Sequence, residues 1–139
     1  MKKFGDFIVS GEVRAERKNE FLAKSLIKSA EKGVLYIKKQ KITSESAEHI
    51  VSDIYDVIRE LIEAKLALEG YKSYSHDATI LFLKKFPFFL EHEIFFLDNL
   101  RRIRNGIKYY GKEATVDDAN KTLRFFNLIL VKLRRLIKK

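Results

Sequence analysis

The segment from Arg101 to Gly111 concentrates side chains that could act on a charged substrate. Its cations are Arg101, Arg102, Arg104 and Lys108, and its other polar side chains are Asn105, Tyr109 and Tyr110. Clustered cations are typical of surfaces that meet polyanions. Cations also stabilise the C-terminus of a helix through its dipole by roughly 0.3–1 kcal/mol each, so the charge has a structural explanation as well.

The order of residues in this segment is more informative than its charge. At about 100° per residue, the predicted buried stripe consists of Leu100, Ile103, Ile107 and Tyr110. Arg104 falls about 40° from Leu100, at the edge of that stripe, so we expect its guanidinium to be partly desolvated. Asn105 and Gly106 are each roughly 0.5–1 kcal/mol poorer than alanine in a helix, which indicates a packing or site requirement.

Other kinds of site find less support in the sequence. His49, His76 and His92 each stand beside a carboxylate, but none has the i, i+4 partner of a helical zinc motif. We therefore predict surface or capping positions for the histidines, and no metal site. The sequence contains no P-loop, no dinucleotide-binding glycine pattern and no nucleophile elbow, so no cofactor is expected.

The elements that position these residues are predicted to be helices. Six glycines and one proline among 139 residues offer few turns, whereas an all-β fold would need many. A hydrophobic content of 46% is enough to fill one core. We predict an all-α fold, an antiparallel helical bundle of about five helices, in a single domain over residues 1–139.

Apolar periodicity and capping residues define the five predicted helices. They run from near Gly11 to near Gln40, from a cap at Ser44 to Gly70, from a cap at Ser75 to about Phe86, from about Leu90 to Tyr110, and onward from a capping-box pattern at Thr115. The apolar run from Ile80 to Leu83 could instead form a strand. We favour a helix because no other part of the chain offers that strand a partner.

Phenylalanines are unusually dense around Pro87. The cluster consists of Phe86, Phe88, Phe89, Phe95 and Phe96. Two interpretations remain open for it. The rings could pack in the core, or they could form a dimer or partner interface, since a small bundle has difficulty burying five large rings in one corner.

Charge is distributed unevenly along the chain. Residues 1–43 carry a net charge of +6, residues 44–98 carry −6 and residues 99–139 carry +9. Acidic and basic helices could lie beside each other, or the basic ends could form a surface that meets polyanions. The absence of cysteine, of a signal-peptide pattern and of an apolar run long enough to span a membrane predicts a cytoplasmic protein with no membrane partner.

The stretch from Leu100 to Tyr109 resembles the signature helix of the HEPN family, in which Arg-Asn-x-(Ile/Val)-x-His occurs on a helix of this kind. Two upstream segments also resemble prokaryotic members of the family. The first is Leu66–Tyr71, at the end of the second predicted helix, and the second is Ser75–Ala78, at the start of the third. The similarity extends over about residues 13 to 135. Tyr109 stands where the family has its histidine.

The resemblance implies a homodimer in which two copies of the motif surround a shared cleft. Many members of the family are metal-independent endoribonucleases, and many prokaryotic members are partnered by a small nucleotidyltransferase in a toxin–antitoxin pair. Carried over to this chain, the resemblance implies that Arg104 holds the phosphate and that Asn105 organises the cleft. Tyr109 would occupy the catalytic position of the family histidine. The RNA or nucleotide would also contact Arg101, Arg102, Lys108 and Tyr110.

Three functions follow from this resemblance. The first is an RNA- or nucleotide-binding effector half of a two-component system with a minimal nucleotidyltransferase. The second is an endoribonuclease toxin that acts through a dimer cleft, although a tyrosine with an ordinary pKa of about 10 is a poor base at pH 7. The third is a non-catalytic helical interaction module that docks a partner, and in such a complex the hydroxyl of Tyr109 or Tyr110 could accept a nucleotide.

Overall fold

A computed structural model describes residues 3 to 138 as a helical bundle with one small sheet. Over that range the elements are α1 (Phe4–Ser10), β1 (Val13–Ala15), α2 (Glu20–Lys39), α3 (Ala47–Glu69), β2 (Tyr71–Ser73), α4 (His76–Leu81), a 3₁₀ turn (Phe82–Lys85), α5 (Glu91–Tyr110) and α6 (Val116–Ile137). The predicted all-α class is confirmed, with six α-helices in place of about five.

Local capping signals explain most of the helix ends. Gly70 and Gly111 follow α3 and α5 in the left-handed conformation, at φ of 84° and 64°, which a residue with a side chain rarely adopts. The Ser75 hydroxyl accepts a hydrogen bond from the N–H of Ala78 and caps α4. Thr115 caps α6 in the same way, so these four predicted boundaries are confirmed.

The predicted start of the first helix, near Gly11, is wrong. Residues near Gly11 do not start a long helix, because Gly11 ends α1 at φ 83° and the chain then enters β1. That strand pairs antiparallel with β2, through Val13 opposite Ser73 and Ala15 opposite Tyr71. α2 begins only at Glu20, after a cap by Asn19.

The start of the second predicted helix and the end of the third are also corrected. Residues near Ser44 form a turn, in which the Ser46 hydroxyl donates a hydrogen bond to the Lys41 carbonyl, so α3 starts at Ala47. The third predicted helix ends as α4 at Leu81 and continues only as the 3₁₀ turn, whose last residue lies two positions before Pro87.

α3 is the central helix of the bundle and packs against α2, α5 and α6. The N–H of Asn19 bonds to the Ala67 carbonyl near one end of the α2–α3 pair, while Gly33 faces Val57 farther along, so the two helices run antiparallel. A Cβ at Gly33 would come within 2.6 Å of Val57 Cγ2. Glycine therefore permits the close approach of α2 to α3.

α5 and α6 also run antiparallel, as an ion pair and a ring pair between them show. Lys132 Nζ lies 2.6 Å from Glu93 Oε1, and the Phe96 and Phe125 rings stack at 4.2 Å. Most of the phenylalanine cluster is at least partly covered, but Phe95 is 75% exposed. No helix within residues 3–138 has the length and apolar character needed to cross a membrane.

Candidate functional site

The Arg101–Gly111 segment ends α5 and divides its side chains between the interior and the surface. Leu100 is buried and Ile107 partly buried, as predicted, but Ile103 and Tyr110 are 38% and 77% exposed. Arg104 is only 3% exposed and takes an inward position beside Leu100. The predicted stripe is therefore wrong at Ile103 and Tyr110, because the side of α5 that meets α3 is centred on Leu97, Leu100 and Arg104.

Arg104 is held in the interior by an acidic residue of α3. Its Nη2 lies 3.0 Å from Asp56 Oδ1, and its guanidinium carbon lies 5.9 Å from the centre of the Tyr55 ring. Among the residues described, Asp56 Oδ1 and the Nε atoms of Arg59 and Arg104 are buried without a hydrogen-bond partner. The Arg104–Asp56 contact is thus an ion pair with poor hydrogen-bond geometry, and Arg104 retains an unused donor.

A tyrosine–histidine pair adjoins this ion pair. The hydroxyl of Tyr55 lies 3.0 Å from His76 Nδ1, and the two rings are nearly parallel at 6.1 Å. Burial raises the pKa of Tyr55 to about 12, so its hydroxyl stays protonated. Burial lowers the pKa of His76 below its ordinary value, and nearby arginines, including Arg59 and Arg104, lower it further. The imidazole is therefore neutral at pH 7.

The sequence predicts a surface or capping position for His76. In the structure His76 is the first residue of α4 and is half-buried against Tyr55. A signal was available in the α3 sequence. Tyr55 follows Ile54 and precedes Val57 and Ile58 in the apolar stripe, and a tyrosine on a buried face needs a partner for its hydroxyl. The sequence could not identify that partner.

The two arginines before Arg104 lie nearer the surface and share an acidic partner. Arg101 Nη2 is 2.9 Å from an oxygen of Asp77 and 3.0 Å from one of Asp98. Arg102 Nη2 is 3.2 Å from Asp98, and its side chain is 70% exposed. Arg101 therefore joins α4 to α5, while Arg102 points outward.

The remaining predicted site residues lie at the C-terminal end of α5. Lys108, Tyr109 and Tyr110 are exposed, and Asn105 is half-buried. Gly106 is covered by Lys112, because a Cβ at Gly106 would come within 3.0 Å of the Lys112 side chain. The segment from residue 99 to residue 112 contains five cations and no acidic residue. The structure thus groups the exposed tyrosines with exposed cations and separates them from Arg104.

No protein-family model matches the chain, and neither a curated protein nor a solved structure matches it significantly. Within residues 3–138, no three histidine, aspartate or glutamate side chains are grouped closely enough to hold a metal ion.

The geometry offers two distinct chemical environments on α5. One is a network in which Arg104 and Tyr55 are buried and Asp56 and His76 are half-buried, and the other is the exposed basic end with its two tyrosines.

Proposed function

We propose that this chain is a HEPN-like protein that binds RNA or a nucleotide through the C-terminal end of α5. In this proposal it acts as the effector half of a two-component, toxin–antitoxin-like system with a minimal nucleotidyltransferase. The observation that carries the proposal is the exposure of Tyr109 and Tyr110, at 65% and 77%, next to the exposed Lys108 and on the same helix as the exposed Arg102.

This combination suits nucleic acid for two reasons. Exposed aromatic rings provide stacking surfaces for unpaired bases, at about 1–3 kcal/mol per base, without selecting a sequence. Cations beside them contact the phosphates and release counterions, which makes binding depend on salt. Two large aromatic side chains that stay in water bury little apolar surface in the fold, so their packing does not account for them.

The test is a binding titration with a fluorescent single-stranded oligouridine at several salt concentrations. We expect affinity to fall as salt rises, and to fall by about 30-fold or more in the Tyr109→Ala, Tyr110→Ala double variant, which removes two stacking rings. The matched control is Tyr36→Ala on α2, which removes a tyrosine that is 58% exposed elsewhere on the surface. Affinity that is insensitive to salt and to the double substitution would refute the proposal.

The exposed hydroxyls also support the proposed partnership with a nucleotidyltransferase. Such an enzyme must bring the donor phosphate to an acceptor hydroxyl, and those of Tyr109 and Tyr110 lie on well-exposed side chains at the end of a helix. We expect a nucleotidyltransferase to be encoded next to this gene, and incubation with that enzyme and ATP should add nucleotide mass to the peptide that contains Tyr109. A neighbouring gene of another kind, or an unmodified peptide, would remove the support for this partnership.

A second candidate function is the metal-independent endoribonuclease, and one observation favours it. His76 is a neutral, half-buried histidine in the same network as Arg104, and it could replace the one missing at position 109. In the tautomer with a free lone pair on Nε2, His76 would take the proton of a ribose 2′-hydroxyl. That oxygen would attack the adjacent phosphorus, and the 5′-oxygen would leave and gain a proton.

Cleavage is tested by incubating the protein with RNA in EDTA and by measuring its mass by sedimentation, since the proposed dimer places two motifs around one cleft. The variant His76→Gln should abolish cleavage while retaining the helical circular dichroism of the wild type. The control His92→Gln changes an exposed histidine and should leave cleavage intact. Absence of products, or equal products from both variants, would eliminate this candidate.

A further inference from the structure

The exposed side chains of α5 form a line that runs from its first turns to its C-terminal end. Phe95, Arg102 and Tyr109 are spaced by seven residues, so successive members lie about 20° apart around the helix and about 10.5 Å apart along it. All three point outward, at 75% exposure for Phe95, 70% for the Arg102 side chain and 65% for Tyr109. An aromatic ring, a cation and a second aromatic ring therefore share one face.

A cavity of about 300 Å³ opens beside the Phe95 end of this line, between α4 and α5. Its apolar wall is formed by Phe7, Ile80, Leu81, Ile94 and Phe95. A volume of this size lies at the lower end of the range for small-molecule sites. It suits one flat heterocycle better than an extended ligand.

The cavity is also lined by three acidic and three basic side chains, whose formal charges balance; they are Asp77, Glu91, Asp98, Lys84, Arg101 and Arg102. Asp98 is shared by the guanidinium groups of Arg101 and Arg102, and Arg101 also pairs with Asp77. Fixed donors and acceptors are thus presented without a strong net charge. Such a wall favours the hydrogen-bonding edge of a neutral base over a phosphate, which would meet the Asp77 and Asp98 carboxylates.

We propose that single-stranded RNA lies along the outer face of α5, with one unstacked base in the cavity against Phe95. The backbone stays outside the cavity and passes the solvent-exposed side of Arg102, and a second base stacks on Tyr109. The distance from Phe95 to Tyr109 is about 21 Å, which corresponds to roughly six stacked base steps of 3.4 Å. This inference rests on the proposed function, and it adds the strand state of the RNA, the length of the site and a base pocket distant from the tyrosines.

The first experiment measures the affinity of the full chain for a fluorescent oligouridine of about twelve nucleotides, a length within the range of single-strand binding sites. We expect Phe95→Ala to weaken binding by about 5- to 100-fold, because it removes one stacking surface. The matched control, Phe21→Ala, removes a ring that is 83% exposed on α2 and should bind as the wild type does. Equal affinity of both variants and the wild type would overturn the proposal.

The second experiment locates the two ends of the strand. A single 5-iodouridine placed near either end of an eight-nucleotide oligouridine is photocrosslinked, and the tryptic peptides are identified. Cleavage after Arg101 and Lys108 separates the Phe95 peptide from that of Tyr109 and Tyr110. We expect one end to crosslink to each peptide. Crosslinks from both ends to the tyrosine peptide alone would overturn the proposal.

The outcomes separate this inference from the function on which it rests. Loss of affinity in the tyrosine variants with no loss in Phe95→Ala would keep RNA binding and overturn the base pocket. No RNA binding by the wild type would overturn both. If Phe95→Ala changes a sedimenting dimer into a monomer and leaves RNA affinity unchanged, the Phe95 face is an interface with a second copy and the base pocket is overturned.

Discussion

Replacing Arg104 by methionine is expected to destabilise the bundle without removing the proposed RNA-binding surface. Methionine has a similar length but no charge, so the variant leaves Asp56 of α3 without its closest cation, now 3.0 Å away. Breaking a buried ion pair by removing one partner typically costs 3–5 kcal/mol. The pair is buried on the Arg104 side, because that side chain is only 4% exposed.

The partial exposure of Asp56 makes the expected cost of breaking the pair smaller than about 3–5 kcal/mol. Its side chain retains 35% exposure, and Arg59 Nη2 remains 3.8 Å from Asp56 Oδ1, so solvent and a second cation partly compensate for the loss. We expect a decrease of about 2–3 kcal/mol in the free energy of unfolding. With a urea m-value of about 2 kcal/mol/M, the unfolding midpoint should fall by about 1–1.5 M.

Urea denaturation followed by helical circular dichroism measures this change. The control is Arg102→Met, two residues away, which removes a 70% exposed guanidinium and should cost less than about 1 kcal/mol. Asp56→Asn and the double variant complete a cycle in which the coupling to Arg104 should exceed about 0.5 kcal/mol. A midpoint for Arg104→Met equal to that of Arg102→Met would show that the pair does not hold α5 against α3. RNA affinity of the folded variant should stay within about twofold of the wild type.

Three further predictions concern stability. The pKa of His76 lies below 6.5 in the folded chain, so below pH 6.5 the unfolded state takes up a proton first and stability falls. Thermal midpoints measured at decreasing pH should show this fall in His92→Gln but a weaker one in His76→Gln. Gly70→Ala should cost about 1–3 kcal/mol in urea denaturation, because it places a side chain at φ 84° and a Cβ 2.8 Å from the Glu16 carbonyl oxygen. Thr115→Ala should cost about 1 kcal/mol by the same assay through loss of the α6 cap, and a change below 0.3 kcal/mol would contradict the capping role.

The parts of the fold that the sequence predicts correctly are those with local causes. Gly70, Ser75, Gly111 and Thr115 mark helix ends through the conformation or hydrogen bond of a single residue. The β1–β2 pair has no such local mark, because Val13 meets Ser73 from far along the chain. For this reason the first predicted helix, from near Gly11 to near Gln40, is longer than α2.

The candidate site divides in the same manner. Helical spacing predicted partial desolvation of Arg104, but its actual depth depends on Asp56, which belongs to another helix and could not be chosen from spacing alone. The Tyr55–His76 pair joins residues 21 positions apart across α3 and α4. Helical spacing predicts a buried Tyr110 because it assumes that α5 is covered along its full length, whereas Lys108, Tyr109 and Tyr110 are all exposed.

The inward Arg104 and the outward Arg102 stand two residues apart on α5, and their surroundings imply different evolutionary constraints. A change at Arg104 leaves a carboxylate unpaired on α3, so in related sequences we expect positions 104 and 56 to change together. Arg102 belongs to the outer line with Phe95 and Tyr109, whose substitutions leave the core untouched. Variation along α5 should therefore separate into two independent groups of positions, one that follows the stability of the bundle and one that follows the proposed RNA ligand.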